Sequence, residues 1–177
     1  DVPLDAFYKA WHMGGRLDNS YYPADLITEI LGGGNSSRLY QRLVKEQQLF
    51  SQIDCHHHGT VHPGLLAIEG KLVKGVKIED AEKAVEAELE KLKAETISDA
   101  ELQKVKNRTE SAIAFEDMSL MNRAGSLAFY ELLGDAGLMN TEFGRYQKVT
   151  AADIQQEAAR IFNADNSNTL YYLAKNN

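Results

Sequence analysis

Five histidines are the side chains of this sequence most able to bind a metal, and four of them lie close together. His56, His57 and His58 are consecutive, His62 follows shortly after, and His12 lies far upstream. Because consecutive residues of a strand point to opposite faces, only His56 and His58 of the run would share a face. Two ligands on one strand hold a metal weakly without a third. We therefore expect exposed histidines, with a histidine-dependent zinc or nickel site as the alternative.

Cys55 is the only cysteine of the chain, so no disulfide can form within it. A nucleophilic thiol would need help from its neighbours, but strand alternation places Asp54 and His56 on the face opposite Cys55. We therefore expect a buried or half-buried free thiol. A single cysteine suits a reducing compartment without excluding an oxidising one, so the cytoplasm and the bacterial periplasm both stay open.

Three glycines and two serines mark the most distinctive segment, residues 31–50, which reads LGGGNSSRLYQRLVKEQQLF. The glycines at 32–34 can adopt a positive φ at little steric cost. Ser36 or Ser37 can cap a following helix by accepting a hydrogen bond from a free backbone N–H. A phosphate-binding loop is not indicated, because the Gly-Lys-Ser/Thr ending is absent and the glycines follow a helical pattern. The segment predicts a helix end, a tight turn and a second helix.

The elements that must position these residues follow from the spacing of the apolar side chains. Alternating or aromatic-rich runs predict strands at residues 6–13, 49–58, 65–73 and 170–173. Apolar residues three and four apart predict helices from residues 18–20 to the glycines and at about 37–47, 78–95, 98–113, 118–133 and 150–161. We expect capping at Ser98 with Glu101, and at Thr150 with Asp153.

The order of these elements predicts an α+β domain with helices packed on one face of a largely antiparallel sheet. A chain of 177 residues suits one domain. We expect a single domain over residues 1–177, excised from a longer polypeptide, because the chain begins Asp-Val-Pro without an initiator Met. The net charge of -7 and the scattered Lys and Arg residues give no indication of nucleic-acid binding, and no apolar run is long enough to cross a bilayer.

Two longer sequence segments resemble those of a known family. Residues 30–43 read ILGGGNSSRLYQRL, and residues 149–173 read VTAADIQQEAARIFNADNSNTLYYL. With the order of elements, which covers essentially the whole chain, they resemble the C-terminal-type domain of pitrilysin/insulinase-type zinc peptidases, also called inverzincins. The resemblance implies the metallopeptidase fold shared with LuxS and the mitochondrial processing peptidases.

The resemblance also implies a parent zinc metalloendopeptidase whose homologous domains enclose a peptide substrate. Another domain, of the same chain or of a partner chain, would hold zinc through an inverted H-x-x-E-H helix and a downstream Glu. No Glu-His pair occurs in this sequence, so that motif is absent. We therefore expect no catalytic, cofactor-binding or metal-binding residue in this chain, which alone should not hydrolyse peptides.

A second departure from the family concerns a pair that assists catalysis elsewhere. Related domains carry an Arg and a Tyr in a pattern like LRE-x-x-GLAY, and this pair is thought to contact the substrate and the oxyanion. On this sequence the Arg position falls at Val44, the Gly position at Gln48 and the Tyr position at Ser51. Arg38 and Arg42 lie nearby but point elsewhere on the helix. We expect a non-catalytic domain that helps form the peptide chamber, or alternatively a non-proteolytic structural or binding subunit.

Overall fold

The computed structural model describes residues 4–175 of the chain. Its four strands form one antiparallel sheet in the order β2-β3-β1-β4. They are β1 (Ala6–Met13), β2 (Phe50–His58), β3 (Gly64–Leu72) and β4 (Ser167–Tyr172). The strand predicted at residues 6–13 has these bounds in the structure, and the other predicted strands differ from the observed ones by one to three residues at one or both ends.

Helices fill the long connections between the strands. They are α1 (Tyr21–Gly32), a π-helix (Tyr40–Glu46), α2 (Ile78–Ala94), α3 (Asp99–Glu116), α4 (Leu120–Leu132), α5 (Glu142–Lys148) and α6 (Ala151–Ile161). Short 3-10 turns lie at Gly34–Ser36, Ala136–Thr141 and Ala164–Asn166. Within residues 4–175, no helix combines the length and the apolar character that a membrane crossing requires.

The core lies between one face of the sheet and the helices. Alternate strand residues such as Phe7, Trp11 and Ile68 are buried there, and the Trp11 ring meets Phe162 edge-on at 5.0 Å. The intervening residues of the strands, Tyr8 among them, are mostly exposed on the opposite face. This alternation is typical of an antiparallel sheet covered on one side, and it confirms the predicted α+β class.

The glycine segment joins two helices as predicted, but its glycines serve different purposes. Only Gly34 has a positive φ, 75°. Gly32 is the last residue of α1, and a Cβ there would lie 2.3 Å from the backbone nitrogen of Cys55. Neither short helix that follows has a side-chain cap, so the predicted cap at Ser36 or Ser37 was wrong. Ser37 instead uses its backbone carbonyl, which accepts from Gln41 N.

The two predicted capping boxes differ in outcome. Thr150 and Asp153 form the full reciprocal box at the start of α6. Ser98 caps α3 by accepting from Glu101 N at 3.2 Å, but the return bond from the Glu101 carboxylate is not made. That carboxylate instead accepts two hydrogen bonds from Arg38, which is 63 positions earlier in the chain. A long-range ion pair has therefore replaced half of a local motif.

Helix α3 is packed at its start and open at its end. The apolar spacing of this helix predicts that Leu102, Val105 and Ala112 face inward. Leu102 and Val105 are buried, but Ala112 is exposed. The small residues that favour close packing in α4, including Ala124 and Gly125, are also exposed. A Cβ at Gly125 would meet nothing within 4 Å. No close packing of this part of α4 therefore occurs among residues 4–175.

Candidate functional site on the open face of the sheet

The three positions of the family pattern lie at the corner that leads from the π-helix into β2. Val44 is half-buried on the π-helix, and Ser51 is exposed at a β-bulge between Phe50 and Gln52. The Ser51 hydroxyl donates to the carbonyl of Lys71 at 3.1 Å. A short hydroxyl bound to the backbone in this way cannot reach a substrate oxyanion as a tyrosine could.

Gln48 supports this placement of the family pattern on the chain. Its φ of 53° makes it the one non-glycine residue among 4–175 with a positive φ. Glycine adopts that conformation without steric cost, whereas a side chain is strained in it. The backbone at Gln48 therefore has the conformation that suits the glycine of the pattern, although the glycine itself is missing.

Neither nearby arginine replaces the side chain missing at Val44. Arg38 forms a two-bond ion pair with Glu101, at 2.9 Å from Nε and 2.6 Å from Nη2. Arg42 pairs with Glu46 at 2.6 Å on the exposed side of the π-helix. The hydrogen bonds from Arg38 lower the pKa of Glu101. Both guanidinium groups are therefore occupied with structural partners.

The open face of the sheet adjoins this corner. The strand register arranges its side chains in four rows across the sheet. In order from the Ser51 end they are Gln52–Lys71–Ala6–Tyr172, Asp54–Glu69–Tyr8–Leu170, His56–Ala67–Ala10–Asn168 and His58–Leu65–His12. Carboxylates, histidines and a lysine thus lie among small, aromatic and leucine side chains over the surface.

A shallow hollow lies in the first two rows of this face. Its volume is about 70 Å³, and it is lined by Tyr8, Gln52, Asp54, Glu69, Gly70 and Lys71. Asp54 and Glu69 are direct cross-strand neighbours, so two negative charges lie side by side in it, against the one positive charge of Lys71. Like charges in that position repel each other, and a cation or a backbone N–H from outside would relieve the repulsion. The hollow can therefore accept donors from an extended peptide.

The histidines divide between the two faces as strand alternation predicts. His56 and His58 lie on the open face with their rings 5.0 Å apart, and His56 Nδ1 is 3.9 Å from Asp54 Oδ2. His57 points the other way, and the expectation of an exposed side chain is wrong for it, because it is half-buried with its Nε2 2.8 Å from Asp25 Oδ1. In the part of the chain that the structure describes, no three His, Cys, Asp or Glu side chains are arranged to hold a metal ion.

A buried polar network behind the sheet was not predicted from the sequence. Arg16 forms an ion pair with Glu142 and donates to the hydroxyls of Tyr22 at 3.1 Å and Tyr130 at 3.0 Å. Burial raises the pKa of Tyr130 well above its ordinary value. Arg16 and Glu142 are 126 positions apart and belong to no motif, so no local signal could have revealed them. The network joins α4 and α5 to α1.

Two further buried groups complete this side of the sheet. Tyr146 donates to the second oxygen of Asp25 at 2.5 Å, so Asp25 links α5 to His57 of β2. Cys55 is 5% exposed, and burial raises the pKa of its thiol, which confirms the prediction of a buried free cysteine. A protonated, enclosed thiol is a poor nucleophile.

The fold, together with the corner at Val44, Gln48 and Ser51, defines a two-layer α+β domain of the metallopeptidase type. Comparison with known proteins assigns the family. The family model described as Peptidase M16 inactive domain matches residues 1–109. The chain belongs to this family. The expected non-catalytic, C-terminal-type peptidase domain is thereby confirmed. No curated protein matches the chain.

Solved structures share the fold over nearly the whole chain. A protease from Helicobacter pylori is 24% identical with a TM-score of 0.89, and the match covers 96% of this chain and 41% of that one. A protein named as a zinc protease of Bordetella pertussis Tohama I is 22% identical, with a TM-score of 0.86 and coverage of 98% and 96%. The inactive peptidase domain of a protein named in the same way from Bordetella parapertussis is 21% identical, with a TM-score of 0.89 and coverage of 100% and 94%.

Proposed function

We propose that this chain is the non-catalytic domain of a zinc-dependent metalloendopeptidase and forms part of the wall that encloses the peptide. Membership of the inactive M16 domain family is the observation that carries the proposal. The sequence has no Glu-His pair, so zinc and the water-activating Glu must come from another domain, of the same chain or of a partner chain. The names of the Bordetella proteins support zinc as the metal of the whole enzyme.

The open face of the sheet is the surface we assign to the peptide. It adjoins the corner at Val44 and Ser51, which is where related domains place their assisting Arg and Tyr. Its hollow offers the Asp54 and Glu69 carboxylates to backbone N–H groups or to basic side chains of a peptide. A wall of this kind positions the substrate, while the chemistry occurs at the zinc domain.

One observation favours a second candidate function. Val44 and Ser51 lack both the charge and the reach of an Arg and Tyr pair, and Arg38 and Arg42 are engaged elsewhere. A non-proteolytic structural or binding subunit on the same fold would have no need of that pair. Hydrolysis by the assembled protein distinguishes the two functions.

The test uses the 177-residue chain alone and mixed with the zinc-binding domain of the proposed parent peptidase. Hydrolysis of a library of fluorogenic peptides is followed with and without a chelator. We expect no hydrolysis by the chain alone and chelator-sensitive hydrolysis by the mixture. Chelator-sensitive hydrolysis by the chain alone would contradict the proposal, and an assembled but inactive mixture would favour the structural subunit.

A double substitution tests whether the corner faces the peptide. Val44→Arg with Ser51→Tyr restores the pair of the family pattern, and it should raise kcat/KM of the mixture about tenfold or more. Val61→Arg, at an exposed position in the turn between β2 and β3, far along β2 from Ser51, is the matched control and should leave kcat/KM unchanged. An equal effect of both variants would remove the corner from the substrate site.

A further inference from the structure

Helix α4 presents its apolar side to solvent. Leu120, Ala124 and Leu127 form one row along the helix, which ends at the exposed Glu131, and Met121, Gly125, Ala128 and Leu132 form the adjacent row. Only Tyr130 of α4 is buried, and it lies on the other side of the helix. The helix is therefore attached to the domain by its Tyr130 side, while most of its apolar surface remains uncovered.

The exposed apolar surface continues into the end of α3. We name this surface the hairpin patch and define it by six large side chains with exposed fractions from 47% to 83%: Phe115, Met118, Leu120, Met121, Leu127 and Leu132. At roughly 150–200 Å² for a fully exposed large apolar side chain, they expose on the order of 800 Å². The largest apolar patch of a typical monomer is about 300–600 Å². The hairpin patch matches the share of one partner in a standard interface, about 800 Å².

Acidic side chains surround the tip of this patch. Glu110, Glu116 and Asp117 are exposed there, and none of them forms an ion pair within residues 4–175; the one basic side chain of α4 is the exposed Arg123, so the rim is acidic on balance. An anionic membrane would repel such a rim, because helices that lie on membranes carry Lys and Arg beside their apolar face. A protein surface with an apolar centre and basic margins complements the rim.

We infer that the hairpin patch is the docking surface for the zinc-binding domain of the peptidase. The inference rests on the proposed function, which requires that domain, and it adds the place where the domain binds. The small residues Ala124, Gly125 and Ala128 leave room between the larger ones, so a partner helix can approach the backbone of α4 closely. The partner face is therefore an apolar helix with Lys or Arg at its margins.

Cysteine accessibility tests this docking directly. Leu120→Cys places a thiol in the hairpin patch, and the native Cys55 is too buried to interfere. Alkylation by a maleimide is timed in the chain alone and in its complex with the zinc domain. We expect the reaction to slow at least tenfold in the complex. Glu79→Cys, an exposed position on α2, is the control and should react equally fast in both states.

Charge reversal provides a second, independent measurement. Glu116→Lys with Asp117→Lys should weaken the complex at least tenfold at low salt, while Glu79→Lys with Asp80→Lys should not change the dissociation constant. Because all four positions are exposed, these variants should fold like the parent chain, which circular dichroism checks.

The possible results separate this inference from the proposed function. A complex that hydrolyses peptides while Leu120→Cys still reacts at full speed overturns the docking site alone. A chain that binds no zinc domain overturns both. A dimer of the chain alone that Leu120→Asp dissociates would assign the patch to a second copy. Binding to vesicles of anionic lipid that Leu120→Asp abolishes would assign it to a membrane. Either assignment would overturn the inference.

Discussion

Helices α1 and α4 are similar in length and both are rich in apolar residues, yet the chain covers them very differently. Nine residues of α1 are buried, whereas α4 has one, Tyr130. Each helix contains a glycine. A Cβ at Gly32 would lie 2.3 Å from the backbone of Cys55, whereas a Cβ at Gly125 would have open space. Contacts within the domain explain the apolar residues of α1, but they do not explain those of α4.

This difference separates two uses of an apolar helix face. The face of α1 builds the core of the domain, and its loss should unfold the domain. The apolar face of α4 contributes little to the isolated domain, and its residues make sense only with a partner. Stability measurements on the domain alone should therefore respond to one helix and ignore the other.

The largest expected effect comes from truncating a buried leucine of α1. Leu26→Ala removes a side chain that is fully buried, and it should lower the free energy of unfolding by about 3–4 kcal/mol through lost burial and the cavity left behind. Leu120→Ala removes a side chain that is 83% exposed and should cost less than about 0.5 kcal/mol. Urea denaturation of both variants checks this. Equal losses would mean that α4 is packed in solution.

The two glycines should differ in the sign of their response. Gly32→Ala forces a Cβ against the Cys55 backbone and should lower the free energy of unfolding by about 2–3 kcal/mol. Gly125→Ala lies in an open helix interior and should raise it by about 0.5–1 kcal/mol, because alanine favours the helix more than glycine does. Thermal unfolding gives the sign directly. A lower free energy of unfolding for Gly125→Ala would show that α4 makes a contact at Gly125 that the isolated domain should not have.

The packed start of α3 should respond to pH in a way that its open end does not. The Arg38 hydrogen bonds lower the pKa of Glu101 in the folded state, so the folded protein binds fewer protons there than the unfolded chain. The stabilisation is therefore complete above the ordinary Glu pKa of about 4.3 and is lost as the pH falls through the lowered folded value. Glu101→Gln should cost about 1 kcal/mol at pH 7 and little near pH 3. Urea titrations at both pH values measure the difference, and Glu110→Gln is the exposed control.

The smallest expected change concerns the corner that leads into β2. Gln48→Gly relieves a side chain from a positive φ and should raise the free energy of unfolding by about 1 kcal/mol. Gln47→Gly, at an ordinary helical φ of -89°, should lower it instead. Paired denaturation curves decide between these signs. A loss at Gln48 would argue against the placement of the family's glycine there.

The sequence predicted what local patterns determine. Strand β1, the helix joint and the Thr150 box follow from alternation, glycine and capping chemistry, each within a few residues. The sequence could not predict that the Glu101 carboxylate would bind Arg38 and leave the Ser98 capping box incomplete, because Arg38 is 63 positions away from Glu101. For the same reason the Arg16 and Glu142 pair was missed.

Periodicity also failed to say what covers an apolar face. The spacing in α3 and α4 predicts inward positions such as Ala112, yet that side is open in the structure. The sequence did predict the position of the corner. The family pattern placed Val44, Gln48 and Ser51 at one corner, and the positive φ at Gln48 supports that alignment. The hollow at Asp54 and Glu69 depended on strand register, which local patterns do not give.

Hydrogen exchange of α1 and α4 tests the central claim most directly, namely that the domain covers the apolar face of α1 by itself and leaves that of α4 to a zinc-binding partner. The account predicts slow exchange of α1 in every state, and exchange of α4 that is fast in the isolated chain and slowed at least tenfold by the zinc domain. Exchange of α4 that is as slow as α1 without a partner, or unchanged by the zinc domain, would contradict it.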